Sequence, residues 1–146
     1  MRINEILKPK TEKEIWDRII DFSPKEMLVT SANGGFIKGV QKALADGADI
    51  NYVNENDKCS ALASASENGH INIVSYLLIR NASICNIALI GVFGRMDLFK
   101  EMLQRVNLKE CCYLVLALTV AEENHNKEIA NLIKERIDQE LNGLIW

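Results

Sequence analysis

The segment Ser60–Ile84 constrains the fold more than any other part of the sequence, because its pattern predicts two short helices joined by a tight turn at Gly69. The first helix carries a stripe of small and apolar residues, namely Ala61, Leu62, Ala65 and Ser66. The second carries larger apolar residues at helical spacing, namely Ile73, Val74, Leu77 and Leu78. A helical hairpin of this length cannot bury its own apolar face. The segment therefore predicts similar hairpins on both sides of it.

Three further segments of the chain carry the same pattern. Gly35 lies 34 positions before Gly69, and this shift pairs Leu28 with Leu62, Ala32 with Ser66, Val40 with Val74, and Leu44 with Leu78. The second helix of each hairpin is followed by Gly47 or Asn81, residue types that tolerate the left-handed conformation at a helix end. Residues 87–103 and 117–133 contain a third and a fourth copy. Four copies of one pattern predict a helical repeat protein.

The motifs of these copies resemble the ankyrin repeat family, whose unit is about 33 residues long. The resemblance is carried by Gly-Ala-Asp-Ile-Asn at 47–51, Gly-His-Ile-Asn-Ile-Val-Ser-Tyr-Leu-Leu at 69–78 and Gly-Arg-Met-Asp-Leu-Phe at 94–99, and it extends from residue 25 to residue 137. It implies an all-α fold, an ankyrin-repeat solenoid of stacked helix-turn-helix pairs with about four repeats and an N-terminal capping helix.

This resemblance implies a single domain over residues 1–146. The expected segments are an N-terminal arm and capping helix at 1–23, repeat 1 at 24–57, repeat 2 at 58–85, repeat 3 at 86–107, and repeat 4 with the C-terminal cap at 108–146. Ankyrin repeats are linked by a β-hairpin loop, the finger, which is expected at full length only around 51–59. Gly94 follows Gly69 by 25 positions, so repeat 3 is expected to lack a finger.

The last repeat is expected to begin with an inner helix that starts near Lys109. The final helix, at about 126–141, is expected to carry one apolar stripe and a polar outer face. The stripe consists of Ile129, Leu132, Ile133, Ile137 and Leu141, and the outer face of Lys134, Glu135, Arg136, Asp138 and Glu140.

Two capping signals precede the first repeat. Thr11 and Glu14 have the spacing of a capping box at the start of a helix that is expected to end near Phe22. Ser23 followed by Pro24 predicts the start of the next helix, with serine as N-cap and proline at the first helical position. Ile3, Ile6 and Leu7 are the expected apolar contacts of the N-terminal arm, and Trp16 is interpreted as a core anchor rather than a ligand platform.

Several positions depart from the ankyrin pattern. The family's Thr-Pro-Leu-His opening is replaced by Ser60-Ala-Leu-Ala63, which removes the inter-repeat hydrogen bonds of that threonine and histidine. His70 follows the turn glycine as in the family, and we expect a structural role for it. Lys58 occupies a position where the family has glycine, which predicts a mildly strained turn. Val92 and Phe93 fall at first-helix positions that the family usually leaves exposed. Phe93 is interpreted either as an exposed apolar contact or as a side chain covered by a neighbouring loop.

Composition excludes several classes of function. The formal net charge is −3 and the chain has no basic stripe, which argues against nucleic acid as a partner. It lacks a long apolar run or a secretory signal, so we expect a cytoplasmic protein with no membrane partner. The four cysteines, Cys59, Cys85, Cys111 and Cys112, are expected to be small, buried, reduced thiols rather than metal ligands. No catalytic motif is present, and we expect neither a cofactor nor an enzymatic activity.

The ankyrin resemblance implies a non-catalytic module that binds another protein through its concave face. The family's contact positions correspond here to Asn33, Asn54, Asn56, Asp57, Cys59, Glu67, Asn68, Phe93, Glu123 and Asn124. Because most of these side chains are polar or acidic, a neutral to basic partner rich in hydrogen-bond donors would be complementary. The alternative function is an inhibitor or immunity-type protein that neutralises a cognate toxin or enzyme. We expect a monomer whose tail, Leu144-Ile145-Trp146, folds back onto the cap, the alternative being a dimer formed through that tail.

Overall fold

Helices account for almost all of the secondary structure. In the computed structural model the described residues are 11–106 and 111–145, and for 86, 111–113 and 144–145 the description covers the backbone alone. Within them the helices are α1 Glu12–Ile19, α2 Pro24–Gly34, α3 Ile37–Ala45, α4 Ala61–Glu67, α5 Ile71–Ile79, α6 Asn86–Gly91, α7 Met96–Arg105, α8 Cys111–Glu123 and α9 Lys127–Ile145. The expected all-α class is therefore confirmed. The chain divides into two compact units, unit 1 up to Ser83 and unit 2 from Ile84.

Both predicted N-caps at the start of unit 1 are present. The Thr11 hydroxyl accepts a hydrogen bond from the backbone N–H of Glu14 at 3.3 Å. Ser23 caps α2, and its own backbone N–H donates to the Glu26 carboxylate at 3.0 Å. This backbone bond, with a second one from the Ser23 hydroxyl, holds the pKa of Glu26 below its ordinary value. α1 ends at Ile19 rather than near Phe22, because the chain has to become extended at Ser23 to cap α2.

Unit 1 contains two helical hairpins that pack side by side. α2 pairs with α3 and α4 pairs with α5, while α2 also contacts α4 and α3 contacts α5. Most of the residues aligned by the sequence repeat lie in this core, with Leu28 and Leu62 of the hairpins' first helices fully buried and Leu44 half-buried. Val40 and Val74 are buried in the same way on the second helices. Each hairpin therefore covers the apolar face that its neighbour cannot bury alone.

The ends of the helices in unit 1 repeat with the same spacing of 34 positions. Gly35 and Gly69 are left-handed, with φ of 81° and 73°, and so are Gly47 and Asn81, with φ of 94° and 60°. After the first helix of each hairpin, Phe36 N–H donates to Ser31 O and His70 N–H donates to Ala65 O. After the second helix, Ala48 N–H donates to Ala43 O and Ala82 N–H donates to Leu77 O. These are the backbone bonds of Schellman caps, and they confirm the predicted left-handed turns.

The first hairpin depends on a glycine that the sequence pattern did not single out. Gly39 lies on α3 where α3 crosses α2, and a Cβ atom at this position would lie 2.1 Å from the Ser31 hydroxyl oxygen. Glycine therefore permits a closer approach of the two helices than any other residue does. α1 is attached to this hairpin by Trp16, whose half-buried ring packs edge-on against Phe36 at a centroid distance of 5.0 Å. This contact agrees with the interpretation of Trp16 as a packing anchor.

Unit 2 also contains two hairpins. α6 pairs with α7 and α8 pairs with α9, and there are further contacts between α6 and α8 and between α7 and α9. Its core is formed by the fully buried side chains Phe99, Met102, Leu114, Ile129 and Ile133. The apolar stretch of the fourth copy is helical, as predicted, from Cys111 onward, whereas its expected start near Lys109 lies outside the described residues. Leu141 was expected on the apolar stripe of the last helix, but it is 50% exposed.

The turn of the third copy differs from the others. Gly94, which aligns with Gly69, is not left-handed, and Arg95 N–H donates to Val92 O in place of a Schellman bond.

The loss of a finger before this copy is consistent with the short connection at 80–85 between α5 and α6. The predicted N-terminal arm with Ile3, Ile6 and Leu7, and the side chains of the tail Leu144, Ile145 and Trp146, lie outside the described residues.

Arg136 links the two hairpins of unit 2. The sequence placed it on the polar outer face of the last helix, yet its side chain is only 15% exposed. Its guanidinium donates to the carbonyl oxygens of Leu103 at 3.1 Å and Val106 at 2.7 Å, and it also pairs with Glu140. The guanidinium thus satisfies carbonyl groups at the C-terminal end of α7, where a positive charge is favourable.

We expect Arg136→Ala to lower the free energy of unfolding by about 1.5–3 kcal/mol, because buried carbonyls lose charged donors. Chemical denaturation followed by circular dichroism measures this change. Arg95→Ala is the matched control, since Arg95 pairs with Asp97 on the surface with both side chains more than half exposed. That variant should lose less than about 0.5 kcal/mol. Equal losses in the two variants would show that Arg136 acts only as a surface charge.

Candidate partner-binding surface

The finger is present where the sequence predicted it. Residues 51–60 form a narrow loop that is closed by an antiparallel bridge between Val53 and Ser60. Inside it, Asn54 N–H donates to Cys59 O at 3.0 Å and Lys58 N–H donates to Asn54 O at 2.9 Å. Lys58 is left-handed with φ of 59°, which confirms the predicted strain at this position.

Two predicted contact residues of the finger also hold its shape. The Asn54 side-chain oxygen accepts from Asn56 N–H at 2.8 Å, and the Asp57 carboxylate accepts from Cys59 N–H at 3.0 Å. Asn56 and Asp57 are exposed, whereas Asn54 is half-buried. One oxygen of the Asp57 carboxylate therefore accepts a hydrogen bond within the loop, while the side chain remains exposed at the surface.

Cys59 is buried, as expected for its thiol, and it is therefore not the surface contact that the ankyrin resemblance implies. Its side chain is only 6% exposed, and the residue lies just before Ser60, the N-cap of α4. Its sulfur lies 4.0 Å from the Glu67 carboxylate, the distance of a weak hydrogen bond donated by the thiol. Cys59 therefore brings Asp57 and Glu67, which are 10 positions apart and both exposed, to the same part of the surface.

The turns of the two hairpins supply the remaining predicted residues of unit 1. Asn68 is exposed at the end of α4, and its side-chain amide donates to Ser64 O at 2.8 Å. Asn33 is half-buried near the end of α2, and its carbonyl oxygen accepts from the His70 Nε2–H at 2.9 Å. His70 therefore joins the turn of the second hairpin to the turn of the first. We call the set Asn33, Asn54, Asn56, Asp57, Glu67 and Asn68 the finger-and-turn surface.

A second link between the hairpins of unit 1 was not predicted. The Asn51 side-chain oxygen accepts from the backbone N–H of Ser83 at 2.8 Å, across 32 positions. Asn51 ends the Gly-Ala-Asp-Ile-Asn motif of the first copy, and Ser83 lies in the corresponding segment of the second. The repeat of this motif at 81–85 was the one sequence signal that relates the two segments. The second copy has cysteine in place of the asparagine, so the sequence did not indicate which group Asn51 would bind.

The other three predicted contact residues lie in unit 2. Glu123 and Asn124 are exposed at the turn between α8 and α9. Phe93 is half-buried and packs edge-on against the buried Phe99 at a centroid distance of 5.5 Å. Its neighbour Val92, also expected at an exposed position, is buried. Phe93 is therefore in part a packing residue of its own unit rather than a free apolar contact.

A groove of about 230 Å³ lies beside the turn that carries Glu123 and Asn124. It is lined by the polar side chains Glu122, His125, Asn126, Lys127, Asn131 and Lys134 together with Ala130. The Lys134 ammonium and the Glu122 carboxylate form an ion pair of 3.0 Å across it. His125 is left-handed with φ of 56°, at the position equivalent to Gly35 and Gly69.

Among the described residues, no group of three or more His, Cys, Asp or Glu side chains is arranged to hold a metal ion.

In the part of the chain that the structure describes, no helix combines the length and apolarity needed to cross a membrane. Cys59 and Cys85 are free cysteines, buried and half-buried respectively.

The contact between His70 and the first hairpin can be tested at Gly35. A Cβ atom on Gly35 would lie 2.7 Å from the His70 ring, so Gly35→Ala combines backbone strain with a steric clash. Gly69→Ala is the matched control, because Gly69 has a similar φ and open space around its Cα. We expect the control to lose about 1–2 kcal/mol of stability and Gly35→Ala to lose more. In a His70→Ala background the difference between the two glycine variants should shrink, as measured by a double-mutant cycle. An unchanged difference would contradict the contact.

The strain at Lys58 predicts a stabilising substitution. Lys58→Gly should raise the free energy of unfolding by up to about 1 kcal/mol, because glycine adopts the left-handed conformation without steric cost. Lys100→Gly is the control: Lys100 is exposed in the interior of α7, and there the same substitution should lower stability by about 1 kcal/mol. Urea denaturation of both variants measures the two signs. A loss of stability in Lys58→Gly would contradict the strained geometry.

No model of a known protein family matches the sequence, and a search of curated proteins also gives no match.

Proposed function

We propose that this chain is an ankyrin-type repeat protein that binds a protein partner through the finger-and-turn surface, without catalysis. The observation that carries the proposal is the convergence of two exposed carboxylates, Asp57 and Glu67, on the buried Cys59. The finger is held by internal hydrogen bonds, and Glu67 ends α4 beside it. The surface therefore presents hydrogen-bond acceptors at fixed positions to a partner. Little conformational entropy is lost when such a preformed surface is bound.

The arrangement of helices supports the ankyrin-type interpretation. In both units the first helices of adjacent hairpins contact each other, and so do the second helices. The Schellman bond after the first helix recurs in the fourth copy, where Asn126 N–H donates to Ala121 O at 2.8 Å. His70, the finger and the left-handed residues occupy the positions that the resemblance implies. Each unit would then contain two consecutive repeats.

The last hairpin has the properties of a terminal repeat. Val29 and Ala32 on α2 are buried where α4 packs against that helix. The equivalent residues of α8, 90 positions later, are Thr119 and Glu122, and both are exposed. Leu44 of the first copy corresponds in the same way to the exposed Lys134. A repeat array needs a terminal unit with a polar outer face, so these substitutions suit the end of an array.

The charge of the finger-and-turn surface specifies the chemistry of the partner. Asp57 and Glu67 supply negative charge, while Asn33, Asn56 and Asn68 supply amide groups. A partner with lysine or arginine side chains and free hydrogen-bond donors is complementary to it. Because the carboxylates are exposed, they contribute mainly to the association rate and to specificity, and binding should weaken with increasing salt.

The test is a charge reversal at the two carboxylates. A partner is first captured from native lysate on the immobilised full chain, identified by mass spectrometry and purified. The double variant Asp57→Lys and Glu67→Lys should then bind this partner at least about tenfold more weakly, because two favourable charge pairs become repulsive. The same variant should keep its melting temperature within a few degrees. Isothermal titration calorimetry at two salt concentrations measures both the affinity and its salt dependence.

The control places the same change of charge elsewhere. Glu135 and Asp138 are exposed on α9, and reversal of both to lysine alters the net charge by the same amount. This control should bind the partner with nearly unchanged affinity. Equal binding by wild type and by the Asp57/Glu67 variant would exclude the finger-and-turn surface as the contact.

A further inference from the structure

The sequence contains three Asn-Gly pairs, at Asn33-Gly34, Asn68-Gly69 and Asn142-Gly143. Asn-Gly is the dipeptide most prone to spontaneous deamidation, because glycine has no side chain to hinder attack by its backbone nitrogen. The reaction also needs backbone freedom, which regular helix denies. Asn33 and Gly34 lie within α2, and Asn142 and Gly143 lie within α9. Asn68 and Gly69 lie in the turn between α4 and α5, outside both helices.

We propose that Asn68 is a site of spontaneous deamidation in the folded protein. The Gly69 backbone nitrogen loses its proton and attacks the Asn68 side-chain carbon, forming a new C–N bond while the Asn68 amide nitrogen leaves as ammonia. Water then opens the resulting succinimide ring at either carbonyl. The products are aspartate, or isoaspartate in which the main chain runs through the side-chain carbon. No oxidant, reductant or enzyme takes part.

The surroundings of Gly69 favour the reaction there over Asn33. An atom added at the Gly69 Cβ position would meet nothing within 4 Å, so no neighbouring group crowds this glycine. The hydrogen bond from Gly69 N–H to Ser66 O is long, at 3.3 Å, and Asn68 itself is exposed. In contrast, the Asn33 carbonyl is held by His70, and the His70 ring covers the adjacent Gly35. The Asn33-Gly34 peptide therefore moves only if the contact between the hairpins opens.

Both products change the end of α4. Deamidation replaces the amide that donates to Ser64 O by a carboxylate that cannot donate, directly beside the Glu67 carboxylate. Two negative charges at the C-terminal end of a helix are unfavourable. Isoaspartate adds a backbone atom between Asn68 and His70, which displaces the bond from His70 N–H to Ala65 O and the bond from His70 to Asn33. The modification would thus loosen the link between the two hairpins of unit 1.

The experiment follows deamidation at each asparagine separately. The full chain is incubated at body temperature in neutral and mildly alkaline buffer, with parallel samples in denaturant. Peptide mapping by mass spectrometry then gives the fraction of aspartate and isoaspartate at Asn68 and at Asn33. In denaturant both sites should convert at similar rates. In the native protein Asn68 should convert on the order of tenfold faster than Asn33, because opening an exposed turn costs less free energy than opening a covered one.

Two further readouts identify the mechanism. The rate at Asn68 should rise with pH, because the attacking nitrogen must lose its proton. In denaturant, where folding stability has no influence, Gly69→Ala should slow conversion at Asn68 and leave the rate at Asn33 unchanged. The proposal is overturned if native Asn68 converts no faster than native Asn33 while both convert in denaturant, or if the Asn68 rate does not change with pH. These outcomes involve no partner, so they are independent of the proposed function.

Discussion

Packing of α2 against α4 is the constraint on which unit 1 depends. Each of these helices belongs to a hairpin with a narrow apolar face, and the helices carry the buried side chains Leu28, Val29 and Leu62. Full burial of one such side chain contributes about 1.5–3 kcal/mol, whereas the isolated helices are too short to be stable in water. Local signals set where the helices start and end, and contact between hairpins makes them stable.

That contact also fixes the register of the hairpins, through polar links at two places. His70 donates to the Asn33 carbonyl next to Gly35, and Asn51 accepts from Ser83 N–H. In each link one partner is a backbone group, which is present whatever side chain the residue carries. A shift of one hairpin by a single residue would break both and leave polar groups without partners. Hydrophobic packing alone tolerates such shifts, because small and branched apolar side chains are partly interchangeable.

How far the sequence predicts this structure depends on the distance over which each signal acts. The Ser23 cap, the left-handed Gly35, Gly69 and Asn81, and the strained Lys58 were predictable because their cause lies within a few residues. The role of Arg136 was not, since its acceptors are 30 and 33 positions away and a charged residue on an amphipathic helix usually faces water. Cys59 was placed on the surface by the ankyrin resemblance alone, which assigns a contact position but not the direction of this particular side chain.

The difference between His70 and His125 follows from the same geometry. Gly35 has to be glycine for two reasons, its left-handed backbone and the His70 ring that lies against it. His125 is equivalent to Gly35, shares the left-handed backbone and is exposed. Only the backbone requirement therefore applies there, and histidine is among the residue types that meet it at moderate cost. The strict glycine thus marks a position where another hairpin docks, and its replacement in the last copy accompanies the change from buried Ala32 to exposed Glu122. The departures of the fourth copy from the repeat pattern at His125 and Glu122 thus coincide with exposed side chains, whereas the equivalent Ala32 of the first copy is buried.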